Sequence, residues 1–255
     1  MEPINLQESR WYDVQKQDYQ IAILPWGATE AHNYHLPYGT DTLLAEHVAI
    51  KASEIAWQKG AKCVVLPPIG YGINTGQMDI KLCMNINPST QMALIHDILQ
   101  VLKGHGIKKL IIFSGHGGND FVPMIRELGH EYPDFIMVTT KWWIAEKPEK
   151  YFIEPGDHAG ELETSCMQAF RPELVYPLDI AGDGKERKMK IAGFREKWAW
   201  SPRRWTYVTD STGCGCPFEA NPEKGRIFLG KCIDKVADFL VEFSKVKNER
   251  DLYED

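Results

Sequence analysis

Four short runs rich in Ile, Val, Leu and Phe, at 21–24, 63–66, 109–113 and 135–139, punctuate the first part of the chain. Between them the apolar residues switch to helical spacing. Strand, helix, strand in that order predicts parallel pairing through right-handed crossovers, and hence an α/β fold. Leu43, Leu44, Val48, Ala52, Ile55 and Ala56 share one helical face that stops at Gly60, with Thr40 or Asp41 placed to cap its start. Asn87-Pro88 opens a second helix whose apolar face runs from Met92 to Leu102, and Phe121, Met124, Ile125 and Leu128 mark a third. Asp157 is placed to cap a helix reaching about Phe170, and Asn221-Pro222 opens a last long one carrying Ile227, Phe228, Cys232, Val236, Phe239 and Leu240. Residues 1–20 read as an entry segment, 69–87 and 171–220 as aperiodic loops, and the charged tail beyond Ser244 as a fraying end.

The chain of 255 residues is read as one domain, 1–255. A formal net charge of -6 argues against a nucleic-acid surface, which needs clustered Lys and Arg. The basic stretch from Lys185 to Arg204 also carries Glu186, Glu196 and several Trp, and reads as a solvated or subunit-contacting surface. No apolar run approaches the ~20 residues a bilayer requires, and Glu2, Glu8, Arg10 and Asp13 leave no secretory apolar core near the N-terminus. The expectation is a cytoplasmic protein acting on a small molecule, with neither nucleic acid nor membrane as partner. The 6 cysteines show no scaffold rhythm and read as reduced thiols. Cys214-Gly-Cys216 lacks the second pair that a structural zinc site wants.

Chemistry concentrates where apolar runs end. After the first run, Glu30, His32, His35 and Asp41 sit on one connection; after the third comes Ser114-Gly115-His116-Gly117-Gly118-Asn119; and Asp157 leads into His158, Glu161 and Glu163. In an open parallel sheet the carboxyl ends of strands lie side by side, so these clusters can converge. Imidazoles and carboxylates together suit a divalent transition metal. The plain alternative is a polar loop in which Asp41 only caps a helix. On a helix capped by Asp157, His158 and Glu161 share a face while Glu163 points elsewhere. His35 reads as a hydrogen-bonding neighbour rather than a further ligand. Glu30, His32, Asp41, His116 and Glu161 exceed what one catalytic zinc takes from a protein, so two metals bridged by Asp41 account for them better. Such a pair holds hydroxide at neutral pH and polarises a carbonyl, the arrangement of metal-assisted hydrolysis. No Gly-x-Ser-x-Gly and no phosphate loop is present. The turn at His116 has the look of an esterase oxyanion loop, but no nucleophile accompanies it. Trp142 and Trp143, if on a strand, face opposite ways, one toward the site and one into the core.

These motifs resemble those of the creatininase family of metal-dependent amidohydrolases. The matching residues are Pro25-Trp26-Gly27, Thr29-Glu30-Ala31-His32, His35-Leu36-Pro37, Gly39-Thr40-Asp41, Gly115-His116-Gly117-Gly118-Asn119, His158-Ala159-Gly160-Glu161 and Glu163-Thr164-Ser165, with a weaker echo from Gly213 to Gly225. The resemblance implies a three-layer α/β/α sandwich with a mostly parallel sheet, two divalent ions of Zn or Mn, and a homohexamer. It implies Glu30, Asp41 and His116 on one metal and His32, Asp41 and Glu161 on the other. His158 is then the acid/base, and Trp142 or Trp143, Glu163 and Tyr34 lie at the substrate. Creatininase carries His-Tyr-Glu where this chain has His116-Gly117-Gly118, which is why Glu161 takes over the second metal's carboxylate. Asn33-Tyr34 also replaces the family's usual Gly-Pro. The implied activity is hydrolysis at a carbonyl of a small, cyclic, polar substrate such as a cyclic amide. Opening of a diketo-inositol ring, or a metal-dependent aldolase or isomerase step through an enediolate, is the alternative.

Overall fold

The computed structural model describes residues 2–254. Four parallel strands, β1 (Ile21–Trp26), β2 (Cys63–Val65), β3 (Lys109–Ser114) and β4 (Ile136–Lys141), form one sheet in the order β2-β1-β3-β4. The helices that carry them are α1 (Thr40–Gln58), α2 (Pro88–Gly104), α3 (Val122–Glu131), α4 (Glu161–Phe170) and α5 (Pro222–Lys245). Every residue of β1 is buried, because both faces of this strand are covered. Ile21 and Ile23 pack with α1, α4 and α5, whereas Ala22, Leu24 and Trp26 pack with α2 and α3. The period of two along β1 therefore separates two cores and gives the three-layer α/β/α sandwich.

From β1 the chain crosses to β2 on one side, then returns past β1 to β3. The order reverses between β1 and β3, and the crevice outside their carboxyl ends is where open α/β sheets bind ligands. The elements around it follow from local chemistry. α1 presents a stripe of small residues, Ala45, Ala49, Ala52 and Ala56, that lets it lie close on the sheet. α5 begins at Pro222 with Asn221 accepting from the Glu223 N–H, the cap its sequence promises. The loop 69–87 crosses the end of β1, where Gly27 N donates to Ile69 O at 2.9 Å.

Three expectations are corrected. The fourth helix is capped at Gly160 and starts at Glu161, rather than being capped at Asp157, because His158 is drawn into an antiparallel bridge with Cys214 and Ala159 takes a left-handed φ of 52°. Trp142 and Trp143 lie on a short 3-10 turn beyond β4, so strand alternation does not govern them. The tail ends in a 3-10 turn at Glu249–Leu252, closed by a reciprocal cap between Asn248 and Asp251 rather than frayed. All 6 cysteines are free, and no helix among the described residues is long and apolar enough to cross a membrane.

Candidate metal centre

The first turn of α1 is wedged between the ends of β1 and β3. A Cβ on Gly27 would fall 2.3 Å from Thr42 Oγ1, and one on Gly115 would fall 2.1 Å from the carbonyl oxygen of Asp41. Only glycines permit this approach, and it delivers Asp41 to the loop carrying Glu30 and His32 and to the turn carrying His116. Asp41 makes no cap: the N-cap position is Gly39, without a side-chain bond, and the carboxylate turns inward.

Asp41 Oδ1 lies 3.0 Å from His32 Nε2, and its Oδ2 lies 3.0 Å from His116 Nδ1. His116 Nδ1 is also 2.8 Å from Glu30 Oε1, and His158 Nδ1 approaches the same oxygen at 3.7 Å. Each imidazole is fixed from behind by a peptide carbonyl: His32 Nδ1 on Glu30 O at 3.0 Å, His116 Nε2 on Ile73 O at 3.1 Å, and His158 Nε2 on Ala31 O at 2.8 Å. A carbonyl only accepts, so those nitrogens carry hydrogen and the inward nitrogens are left as ligand atoms. Three overlapping sets have ligand atoms within 4.8 Å of one another: Glu30, His32 and His158; Glu30, Asp41 and His116; and His32, Asp41 and Glu163.

Electrostatics shows what this cluster lacks. Glu30, His32 and Asp41 are all buried. Glu30 Oε1 and Asp41 Oδ2, though close to His116, accept no well-aligned hydrogen bond. Burial would push His32 down, yet the Asp41 carboxylate holds it up at about 10. His116 is likewise held well above its usual range, against burial, by Glu30 and Asp41. Glu30 sits well below the carboxylate range because the surrounding imidazoles outweigh burial, and burial raises Glu163. Positive charge is in demand here, and carboxylates with inward imidazole nitrogens are donors that a divalent cation satisfies.

A cavity of about 870 Å³ opens over the cluster. Glu30, Asp41, His116, His158 and Glu163 line its polar side, and Trp142, Trp143 and Trp205 line its walls. The Trp205 ring meets His158 edge-on at 5.4 Å.

The structure exchanges the two carboxylates of α4. Glu161 is fully buried but turned away: its Oε2 accepts from Ile153 N at 2.8 Å and Glu154 N at 2.9 Å, and its Oε1 accepts from Lys224 Nζ at 2.6 Å. Because α4 starts at Glu161, His158 lies outside the helix and shares no helical face with that residue. Glu163 is the one that reaches His32 and Asp41, while also accepting from the Ala159 N–H. Tyr34 is corrected as well. Asn33 adopts φ 53° with its side chain tied to Gly182, which sends Tyr34 to the surface, 58% exposed, with its hydroxyl near Asp210 O and outside the cavity lining. Both Trp142 and Trp143 line the cavity, Trp142 being also packed on Phe228 in the core. His35 bonds Thr164 Oγ1 through Nε2 at 2.8 Å, outside the cluster.

One participant has no signal in the sequence. Gln77, from the aperiodic loop 69–87, is buried and donates through Nε2 to Glu30 Oε2, while its Oε1 lies 3.4 Å from Cys83 Sγ.

Comparison with known proteins gives the family. A family model described as creatinine amidohydrolase matches residues 7–240. A solved structure from Bacteroides fragilis, assigned provisionally as a creatinine amidohydrolase, is 42% identical over 100% of both chains with a TM-score of 0.93. The creatinine amidohydrolase of Pseudomonas putida is 27% identical over 87% of this chain and 89% of its own. The 3-dehydro-scyllo-inosose hydrolase of Thermotoga maritima is 28% identical over 61% of this chain and 52% of its own length.

Proposed function

The chain belongs to the creatininase family and is a metal-dependent hydrolase, and from that premise we propose a two-metal site acting on a small, cyclic, polar substrate such as a cyclic amide. Glu30, Asp41 and His116 would hold one divalent cation, and His32, Asp41 and Glu163 the other, as Zn or Mn. Asp41 carries this reading: its two oxygens face different imidazoles, each at 3.0 Å, so it would contribute to both sets of donors. Ions bound there supply Lewis-acid polarisation of a carbonyl and acidification of water at neutral pH.

The chain's own residues do the remainder. Gln77 orients Glu30 by its hydrogen bond to Oε2, and the peptide carbonyls behind His32 and His116 fix their tautomers. His158 donates through Nε2 to Ala31 O, so Nδ1 is the atom that takes a proton and passes it to the leaving nitrogen. The indoles of Trp142, Trp143 and Trp205 exclude water from the walls, which strengthens the charges within. The Thermotoga maritima relative, named for hydrolysis of an inosose, supports ring opening of a polyhydroxylated ketone as the second reading. A homohexamer belongs to the same proposal.

Elemental analysis of the purified chain tests it. About two Zn or Mn ions per chain are expected, both weakened in Asp41→Ala, since a shared ligand serves both sites. A single ion that survives the loss of Asp41 would end the bridged reading.

A further inference from the structure

The cavity over the cluster contains two basic side chains, Lys141 and Arg203. Arg203 is occupied: its Nη2 lies 2.9 Å from Asp157 Oδ2 and its Nη1 3.9 Å from Glu186 Oε2. Lys141, the last residue of β4, has no carboxylate within 4.0 Å among the described residues. Its Nζ donates to Gly117 O at 3.2 Å and stands 5.6 Å from the centre of the Trp143 ring. An ammonium has three donors, so the carbonyl leaves two unused beside an open cavity.

A second observation falls at the same place. Gly117 and Gly118 are exposed in the turn that follows His116, and neither peptide N–H donates to an acceptor in the protein. A Cβ on Gly117 would meet nothing within 4 Å, so space lies open above this peptide. The Gly118 N–H belongs to the peptide whose carbonyl oxygen Lys141 holds and points away from the ammonium, so the exposed turn leaves open space beside Lys141 and the ammonium alone faces an anion there.

We propose that this pocket selects substrates bearing a carboxylate, held by Lys141 while the scissile carbonyl lies at the cluster of Glu30, Asp41 and His116. The proposal rests on the hydrolase reading above and narrows its substrate class to acidic amides, cyclic ones included. Lys141 is then a specificity residue, fixed by Trp143 and by the Gly117 carbonyl. A neutral amide would leave the ammonium without an anion.

Calorimetric titration of the metal-loaded full chain tests this with two matched pairs: 5-oxoproline against 2-pyrrolidinone, and hydantoin-5-acetic acid against hydantoin. The acid of at least one pair is expected to bind the wild type about tenfold more tightly than its neutral partner, as befits a charge-assisted hydrogen bond. The gap should shrink to about twofold in Lys141→Met and largely return in Lys141→Arg, with metal content equal in all three chains. Absence of any acid preference in the wild type, including absence of binding, overturns the proposal, and so does a preference that survives Lys141→Met. Failure of the hydrolase reading shows separately, as low metal content in the wild type or indifference to Asp41→Ala.

Discussion

Glu161→Ala separates an anchor from a ligand. The Glu161 carboxylate is fully buried and accepts from Ile153 N at 2.8 Å, Glu154 N at 2.9 Å and Lys224 Nζ at 2.6 Å. Alanine would strand two peptide N–H groups, at about 1–3 kcal/mol each. Lys224 loses less, because it is 31% exposed and keeps a bond to Glu219 O at 3.2 Å. The sum is about 4 kcal/mol, and at roughly 3 °C per kcal/mol for a chain of this length Tm should fall by about 12 °C. Glu161→Gln keeps an oxygen for both peptides and should cost only about 1–2 kcal/mol. Melting is best read on metal-free protein, so that metal binding does not shift the equilibrium, with metal content measured in parallel. Glu161→Ala should retain its metal, whereas Glu163→Gln should lose about half of it. A Glu161→Ala chain with native Tm and depleted metal would refute the exchange of roles.

Gln77→Met removes the donor on Glu30 Oε2 and should weaken metal binding about 10- to 100-fold; unchanged competition against a chromophoric chelator would show that Gln77 orients nothing. Gly118→Ala would put a Cβ 2.5 Å from His116 Nε2 and 2.7 Å from Ile73 O, so it should break the hydrogen bond that fixes that ring and lower metal affinity by a similar factor, about tenfold or more. Burial holds His35 and His47 at about 4, His47 being stacked on Phe170 with ring centres 3.8 Å apart. Both lie below their unfolded value, so the stability they contribute is present above about pH 6.5 and lost as pH falls toward 4. His32 and His116, held above their usual value, gain stability over the same interval, so the readout is a difference: in denaturant titration of metal-free protein, the fall in stability from pH 7 to 5 should be about 1–2 kcal/mol smaller in His35→Asn than in the wild type; identical pH profiles for the two chains would contradict this.

What could be read from the chain was whatever local pattern encodes. The apolar runs of β1 and β3 end where Glu30, His32, Asp41 and His116 begin, and a parallel sheet brings such ends together whatever the intervening sequence. The start of α4 was not readable in this way. Asp157 has the chemistry of a cap, but the bridge between His158 and Cys214 is a long-range contact with no local signature. That displacement of three residues, from a cap at Asp157 to one at Gly160, reverses which of Glu161 and Glu163 reaches the cluster. Tyr34 escapes the local pattern for a comparable reason: the left-handed Asn33 that turns it outward is stabilised by Gly182, far along the chain. Gln77 and Lys141 lie in segments whose period says nothing about where the side chains end.

The wedge of α1 between Gly27 and Gly115 bears on how ions enter and leave. The donors are brought into register by strand ends and a helix turn that belong to the hydrophobic core, so the ordering entropy of the ligand set is spent when the chain folds rather than when the ion arrives. Zinc-finger peptides behave in the opposite way, folding only on the metal. Here chelation should leave an intact sheet with a preformed, vacant cage, and reconstitution with a different divalent ion should proceed by exchange without refolding.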